Sequence, residues 1–255
     1  MIAMRTNLLA IALVSAAAGC GAPSGSPASD GGLPAFIAAN RVFVDGVHVY
    51  LGQAAHCSST GSSSDTNGCA AKSLPVGTPV NVIGAQRPAV MVYNSWVTMQ
   101  ALGEKDPDAC AYNDLALLQL APADVGSVNP SVPVWGGPAG LNTTVTAAGD
   151  PVYFYGHSSL LLGLSQFSPR QGQSQGDTGN GWSHVVAVLP PGVPGDSGSG
   201  FLDQRGNALG VLSTLDIGTG LSNGVGDLSR ELAYLRSHTG FTRVQLAPGT
   251  EPFRR

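Results

Sequence analysis

The chain has 255 residues, of which 43% are hydrophobic and only 11% are charged. That much apolar material supports the core of one large domain or two small ones, and it excludes a disordered chain. Glycine (35) and proline (18) make up about a fifth of the residues, which excludes a coiled coil and favours short strands joined by turns. The formal net charge of −4 leaves no basic stripe to follow phosphates, so no nucleic-acid partner is expected.

The N-terminal residues have the pattern of a signal peptide. A short basic start precedes an apolar run over residues 8–18, which is too short to anchor in a bilayer. Residues 1–19 are therefore predicted to be removed, so that the protein is secreted or otherwise extracytoplasmic. The ending Gly19-Cys20 resembles a bacterial lipobox, with Ala17 where Leu is usual, and predicts that Cys20 is acylated. The alternative is ordinary cleavage nearby, which leaves Cys20 as a free thiol.

The elements after the signal peptide are short. Residues 20–32 form a Gly/Ser/Pro/Ala tether with nothing to bury, and ordered structure is predicted from about residue 33. Short apolar runs separated by turns then predict strands, as in an all-β barrel or sandwich. These runs cover residues 42–44, 47–52, 79–84, 89–99, 115–120, 143–148, 151–155, 184–189, 200–203 and 208–213, with a connector at 122–133.

The C-terminal part contains the clearest helical pattern. Leu228, Leu232 and Leu235 fall on one face at i, i+4 and i+7, which predicts a helix over about residues 227–238. The last residues, 248–255, are predicted to be a disordered tail.

Three short motifs carry residue types that suit one kind of chemistry. His56 ends an apolar strand in the motif Gln-Ala-Ala-His-Cys, Asp114 opens an apolar strand, and Ser197 lies in the loop Gly-Asp-Ser-Gly-Ser-Gly. A serine hydroxyl is a weak nucleophile that needs an adjacent base, and histidine supplies one because its pKa lies near neutrality. A carboxylate fixes the imidazole tautomer, and glycines allow backbone N–H groups to face a developing oxyanion. Together these residue types meet the requirements of acyl transfer by serine.

The three motifs together resemble those of the chymotrypsin-like (trypsin-fold) serine proteases, and they follow that family's order of His56, Asp114 and Ser197. Subtilisin-like enzymes and α/β-hydrolases have other orders. The resemblance extends over about residues 36–240. It implies an all-β fold of two six-stranded antiparallel β-barrels and a C-terminal helix, with the catalytic residues in the cleft between the barrels. The boundaries that it implies are residues 33–247 for the protease domain, about 36–121 for the first barrel and about 134–226 for the second.

Residue by residue, the resemblance implies a role for each part of the site. It makes Ser197 the nucleophile, His56 the general acid and base, and Asp114 the residue that orients the histidine. The backbone N–H groups of Gly195 and Ser197 would form the oxyanion hole. Ser213 would donate a hydrogen bond to the triad carboxylate, and its strand would pair with the substrate backbone. The resemblance implies no cofactor and no metal ion.

Two positions that would line the primary specificity pocket differ from the trypsin-like pattern. Pro191 stands six residues before the nucleophile, where trypsin-like members carry an acid, and Leu215 stands where a small glycine is usual. An unpaired Arg or Lys charge is expensive to bury. The pocket is therefore predicted to be short and apolar and to favour small aliphatic residues such as Ala or Val. A two-residue shift of the alignment would instead bring Asp216 into the pocket and favour Arg or Lys.

Two features depart from the family pattern. No Ile-Val-Gly-Gly start is present, so pairing of a new N-terminus with Asp196 is not supported, and the sequence names no other partner for that carboxylate. The cysteine after the triad histidine lacks the usual upstream partner, and we predict that Cys57 pairs with Cys69, leaving Cys110 unpaired. A bridge from Cys110 to Cys57 or Cys69 is the alternative. A zinc site of these cysteines with His56 is disfavoured, because the compartment is oxidising and the histidine has another role.

The sequence therefore predicts a secreted or surface-anchored serine endopeptidase that hydrolyses peptide bonds through an acyl-enzyme. Its expected partner is a peptide or protein substrate, a lipid at Cys20 is the only membrane contact expected, and the protein is expected to be a monomer. Two alternatives remain. One is a catalytically silent protease-fold protein that binds a partner without cleaving it, and the other is an esterase-like serine hydrolase.

Overall fold

Most of the regular structure is β-sheet, arranged in two six-stranded units. The computed structural model describes residues 37–38, 42–62, 65–82, 84–156, 158, 169–216 and 221–255, so the predicted signal peptide, the tether and Cys20 lie outside the described residues. The strands and helices are, in chain order, β1 (Ile37–Ala38), β2 (Val42–Val44), β3 (Val49–Ala54), β4 (Pro79–Val80), β5 (Ala89–Asn94), α1 (Ser95–Leu102), α2 (Pro107–Tyr112), β6 (Leu115–Gln119), β7 (Val128–Asn129), β8 (Pro151–Tyr155), β9 (Pro169–Thr178), β10 (Ser183–Val188), β11 (Gly200–Leu202), β12 (Ala208–Asp216), β13 (Ser222–Asp227), α3 (Leu228–His238) and β14 (Gln245–Leu246).

The first unit is a sheet with the strand order β14-β2-β3-β6-β5-β4, so the last strand of the chain covers one of its edges. Its central strands β2, β3, β6 and β5 are antiparallel neighbours. Leu115 and Leu117 of β6 share one buried cluster with Leu228, Leu232 and Leu235 of α3. Removal of these side chains from water holds the helix against the sheet.

The second unit is a closed antiparallel barrel with the strand order β10-β13-β12-β11-β8-β9. Aliphatic and aromatic side chains fill its interior, and the rings of Phe154 and Phe201 stack there with their centroids 4.4 Å apart. The two β units and the C-terminal helix confirm the predicted fold class. Within the described ranges, the first unit is a sheet rather than a closed barrel.

Several predicted strands differ from the structure for local reasons. The run at 89–99 is a strand only over Ala89–Asn94, because the Asn94 side chain accepts the N–H of Trp96 (2.9 Å) and caps α1. Residues 143–148 form no strand. Strands β9 and β13 were not predicted, because their sequences are rich in glycine and polar residues and lack an apolar run.

The end of the chain is ordered, which corrects the prediction of a disordered tail at 248–255. The N–H of Gly249 donates to the carbonyl of Pro138 (2.9 Å). The ring of Phe253 packs edge-on against that of Tyr153, with centroids 5.2 Å apart, and sits over Gly206, where a Cβ would collide with it. Burial of this aromatic ring explains why the otherwise polar segment 248–255 packs against the barrel.

The helix predicted near the C-terminus is present as α3. Its first turn is capped by Asp227, whose carboxylate accepts the N–H of Arg230 (2.8 Å). In the described part of the chain, no helix has both the length and the apolar character needed to cross a membrane.

Candidate active site

His56 and Asp114 are brought together by two neighbouring strands. Ala54 of β3 pairs with Leu115 of β6, His56 lies in a short 3-10 helix just after β3, and Asp114 lies just before β6. The N–H of Ala55 donates to the carbonyl of Asp114 (2.8 Å). Nδ1 of His56 lies 2.6 Å from Oδ2 of Asp114, and the backbone N–H of His56 donates to Oδ1 (2.8 Å). The register of the sheet therefore sets the geometry of this pair.

Asp114 is a buried carboxylate whose charge is compensated by hydrogen bonds. Its exposed fraction is 3%, and the Ser213 hydroxyl donates to its Oδ2 at 2.6 Å. Hydrogen bonds to a charged group contribute about 1.5–3 kcal/mol each, which offsets the loss of hydration. Ser213 belongs to the barrel, whereas His56 and Asp114 belong to the sheet. The hydrogen-bonded group therefore lies between the two units.

The environment of His56 raises the pKa of its imidazole above the ordinary value. Burial acts in the opposite direction and is the largest single influence, but the charge of Asp114 and its hydrogen bond to the ring together outweigh it. The side chain is 26% exposed, so the imidazole can be reached from solvent.

Ser197 lies in the loop between β10 and β11, and this loop is packed against the end of β3. At Gly198, φ is +82°, and a Cβ there would lie 3.0 Å from the backbone nitrogen of Ala54. The N–H of Gly198 also donates to the carbonyl of Leu212 (2.8 Å). The loop is thus placed beside the strand end that leads into His56. The Ser197 hydroxyl makes no hydrogen bond with His56 or any other described residue.

Two backbone N–H groups of the same loop are free to bind an oxygen atom. Gly195 has φ of +105°, a conformation that favours glycine, and a Cβ there would collide with the side chain of Ser158. Neither the N–H of Gly195 nor that of Ser197 has an acceptor among the described residues. The loop therefore offers two donors of the kind that stabilise an oxyanion.

Arg170 is the partner of Asp196 that the sequence did not name. The two side chains are 1% and 0% exposed, and Nη1 of Arg170 lies 2.7 Å from Oδ2 of Asp196. The same carboxylate accepts the N–H groups of Ser158 (2.9 Å) and Val193 (3.1 Å). Arg170 also donates to the carbonyl of Pro191 (3.0 Å). No sequence signal pointed to this arginine, because it lies in the polar strand β9.

Asn223 is a second residue that sequence reasoning missed. It is 1% exposed, and its Oδ1 accepts the N–H of Gly192 (2.7 Å). Its Nδ2 donates to the carbonyls of Gly192 (2.9 Å) and Thr214 (3.1 Å). One amide side chain therefore joins the first part of the Ser197 loop to strand β12, which carries Ser213.

The two residues predicted to line the specificity pocket lie near this amide. Leu215 is directly opposite Asn223 in the β12–β13 pairing and is half-buried. Pro191 is half-buried and its carbonyl is bound by Arg170. Asp216 lies at the exposed end of β12. Both predicted lining residues are thus next to the segment that Asn223 holds.

The disulfide bond differs from the prediction. Cys69 pairs with Cys110, with their Cα atoms 5.1 Å apart, so the predicted Cys57–Cys69 pairing is wrong and Cys110 is not free. Helix α2 brings Cys110 to the turn around Cys69, where the N–H of Gly68 donates to the Cys110 carbonyl (2.8 Å). In the described ranges, no cluster of His, Cys, Asp and Glu is suited to a metal ion.

Several solved structures resemble this one. Protease A of Thermobifida fusca matches 82% of the chain and 90% of its own length, with a TM-score of 0.50 and 17% identity. A chymotrypsin of Cellulomonas bogoriensis matches 77% of the chain and 85% of its own length, with a TM-score of 0.45 and 15% identity. No protein-family model and no curated protein matches the sequence. The fold is that of the chymotrypsin-like serine proteases, as the motifs predicted, and at this identity the likeness shows the fold alone.

Proposed function

We propose that the protein is a serine endopeptidase that acts outside the cytoplasm. The observation that supports this most strongly is the hydrogen-bonded line from Ser213 through Asp114 to His56, next to the loop that holds Ser197. The loop also has two free N–H donors and is held by a fully buried ion pair. These are the parts that acyl transfer by a serine requires.

In the proposed acylation step, His56 accepts the hydroxyl proton as Oγ of Ser197 bonds to the substrate carbonyl carbon. The carbonyl oxygen takes the negative charge and is bound by the N–H groups of Gly195 and Ser197. Asp114 stabilises the imidazolium and keeps the other ring proton on Nδ1. The imidazolium then protonates the leaving amine as the C–N bond breaks, which leaves an ester on Ser197.

Deacylation repeats these steps with water as the nucleophile. His56 takes a proton from the water as its oxygen bonds to the ester carbon, and the oxyanion occupies the same two N–H groups. Return of the proton to Oγ releases the carboxylic acid and restores Ser197.

We propose that the residue before the scissile bond is small and apolar, such as Ala or Val. Leu215 adds bulk to one wall, Pro191 offers no charge, and the buried amide of Asn223 bridges the two segments between which that side chain would enter. The discrimination should be modest, because one methylene group is worth only about 1–3 kcal/mol.

We also propose export and lipidation at Cys20, followed by release of residues 1–19. A disulfide bond is compatible with an oxidising compartment. Intact-mass analysis of the mature protein tests the proposal, because an unmodified N-terminus downstream of Cys20 would exclude acylation there.

Labelling with a fluorophosphonate tests the proposed mechanism. We expect stoichiometric labelling of the parent and of Ser199→Ala, a matched serine in the same loop, and none of Ser197→Ala. Peptide turnover should fall by about 10⁶ in Ser197→Ala and in His56→Ala, because the residues act as a unit. Absence of labelling in the folded parent would favour the silent binding protein. Labelling with ester but no peptide hydrolysis would favour the esterase.

A peptide library varied at the residue before the scissile bond tests the specificity. We expect Ala and Val to lead, and Leu215→Gly to raise kcat/KM for larger side chains. A clear preference of the parent for Arg or Lys would contradict the small pocket and point to Asp216.

A further inference from the structure

A fully buried glutamate of the C-terminal helix contacts the backbone of the candidate catalytic aspartate. Glu231 is 0% exposed, and its Oε1 accepts the backbone N–H of Asp114 at 2.9 Å, across 117 residues of sequence. Glutamate is almost never fully buried unless its carboxylate has partners. Glu231 therefore binds the main chain of Asp114, whereas the His56 ring binds its side chain.

Gly226 leaves space for the Glu231 carboxylate beside Asp114. A Cβ on Gly226 would lie 2.7 Å from Oε1 of Glu231 and 3.3 Å from the carbonyl oxygen of Tyr112. A larger residue there would therefore push the carboxylate away from Asp114. The backbone of Gly226 is not in the left-handed region, so its conformation does not require glycine. The lack of space for a Cβ beside the Glu231 carboxylate is the reason that glycine fits here.

The charge of Glu231 also affects its buried surroundings. The pKa of Tyr93 lies well above its ordinary value, first because the hydroxyl is buried and next because of the negative charge of Glu231. Glu231 lies in the first turn of α3, where the helix dipole favours a negative charge.

The helix that carries Glu231 is held firmly at its start. Asp227 caps it and also lies 2.9 Å from Nε2 of the buried His184. Leu228 and Leu232 are fully buried beside Leu115, the residue after Asp114. Glu231 therefore lies on a helix whose first turns are capped and packed in the core.

We infer that Glu231 is a positioning residue, which fixes the main chain of Asp114 so that its carboxylate meets Nδ1 of His56. The inference rests on the proposed function for its effect on turnover. A displacement of about 1 Å in a catalytic group can lower the rate by about 10²-fold. Loss of the Glu231 contact should therefore act on kcat and leave KM nearly unchanged.

Three variants separate the possible effects of Glu231. Glu231→Leu removes the acceptor and should lower kcat by about 10²-fold. Glu231→Gln keeps an acceptor oxygen without the charge and should recover most of that loss. Gly226→Ala keeps the carboxylate but displaces it, and should also lower kcat. Leu235→Ala, in the same helix and cluster, is the control for lost stability alone and should keep the parent's kcat.

The proton between His56 and Asp114 gives a readout that does not depend on turnover. In the parent at low pH, the Nδ1 proton should give a strongly downfield NMR signal because the contact is short. The signal should move upfield or broaden in Glu231→Leu and Gly226→Ala, and stay near the parent's position in Glu231→Gln. If the parent neither labels nor hydrolyses peptides while these shifts occur, the proposed function fails and the inference stands.

Three results would overturn the inference. One is a folded Glu231→Leu with the parent's kcat and NMR signal. Another is a Glu231→Gln that loses as much as Glu231→Leu. If Glu231→Leu does not fold, a folded Gly226→Ala with the parent's kcat and signal has the same consequence.

Discussion

The His56–Asp114 pair determines how the site responds to pH. Asp114 is buried and lies at hydrogen-bond distance from the ring, so it favours the protonated imidazole against the effect of burial. The folded state therefore binds a proton at His56 more tightly than the unfolded chain does. The resulting stabilisation is fully present below the ordinary histidine pKa and is lost as pH rises through the higher folded value.

The first prediction concerns the pH dependence of activity. In the proposed mechanism His56 must be neutral to take the Ser197 proton, so kcat/KM should rise with pH through an apparent pKa above 6.5, the ordinary histidine value. Asp114→Asn removes the charge that raises the pKa, so its His56 should titrate at lower pH in an NMR experiment. Activity that peaks near pH 4 and is absent by pH 8 would rule out His56 as the base.

The second prediction concerns the Arg170–Asp196 ion pair. Arg170→Met leaves a buried carboxylate without its counter-charge, which should cost about 3–5 kcal/mol of unfolding free energy. Denaturant unfolding measures this change, and Arg205→Met, at an exposed arginine, should stay within about 0.5 kcal/mol of the parent. Fluorophosphonate labelling of Ser197 should slow in folded Arg170→Met, because Asp196 belongs to the same loop. A parent-like stability would show that the pair contributes little.

At the scale of elements, a strand ends and a helix begins in one apolar run. Residues 89–99 are mostly apolar, but the Asn94 side chain accepts two backbone N–H groups and starts α1. Helix α2 then brings Cys110 to the turn that follows the His56 segment. Both helices bind the chain that follows His56, since Gln100 of α1 donates to the carbonyl of Gly68 (2.7 Å) and Cys110 of α2 is bonded to Cys69.

The third prediction concerns this disulfide bond. Cys69→Ala with Cys110→Ala removes a cross-link that spans 41 residues, which should lower the unfolding free energy by about 4 kcal/mol. Thermal or denaturant unfolding of the double variant provides the measurement. Cys57 is also disulfide-bonded, so a reductant would act on it too, whereas the replacement tests the Cys69–Cys110 bond alone. An unchanged midpoint would mean that packing alone holds α2 in place.

At the scale of the whole molecule, the C-terminal segment joins the two units. Strand β14 pairs with β2 of the sheet, and Gly249 and Phe253 contact the barrel side at Pro138 and Tyr153. Helix α3 makes a further connection, since it contacts β12 and β13 of the barrel while its leucines pack with the sheet residues. The candidate site lies where these connections hold the units together.

The fourth prediction tests the C-terminal segment. Phe253→Ala should lower the unfolding free energy by about 1.5–3 kcal/mol, because the ring loses its contact with Tyr153 and its packing against the buried cluster that Tyr153 forms with Val132 and Leu202. Arg254→Ala, at the neighbouring exposed residue, is the matched control and should change stability little. Equal stability of the two variants would show that the tail's packing is not significant.

Short motifs were sufficient to predict the fold class and to point to His56, Asp114 and Ser213, which the structure joins by hydrogen bonds. Each motif is read from a few adjacent residues, and their order along the chain distinguishes one fold from others with the same chemistry. The leucine spacing of α3 was sufficient for the same reason, because amphipathic periodicity is a local property.

The tertiary structure decided the contacts between residues that are distant in sequence. The partners are separated by 26 residues for Arg170 and Asp196, 31 for Gly192 and Asn223, 41 for the disulfide and 117 for Asp114 and Glu231. The disordered-tail prediction failed similarly, because Phe253 is held by a surface that exists only once the barrel has formed. Such pairs depend on sheet register and helix placement, which the packing of the whole chain sets and no local pattern encodes.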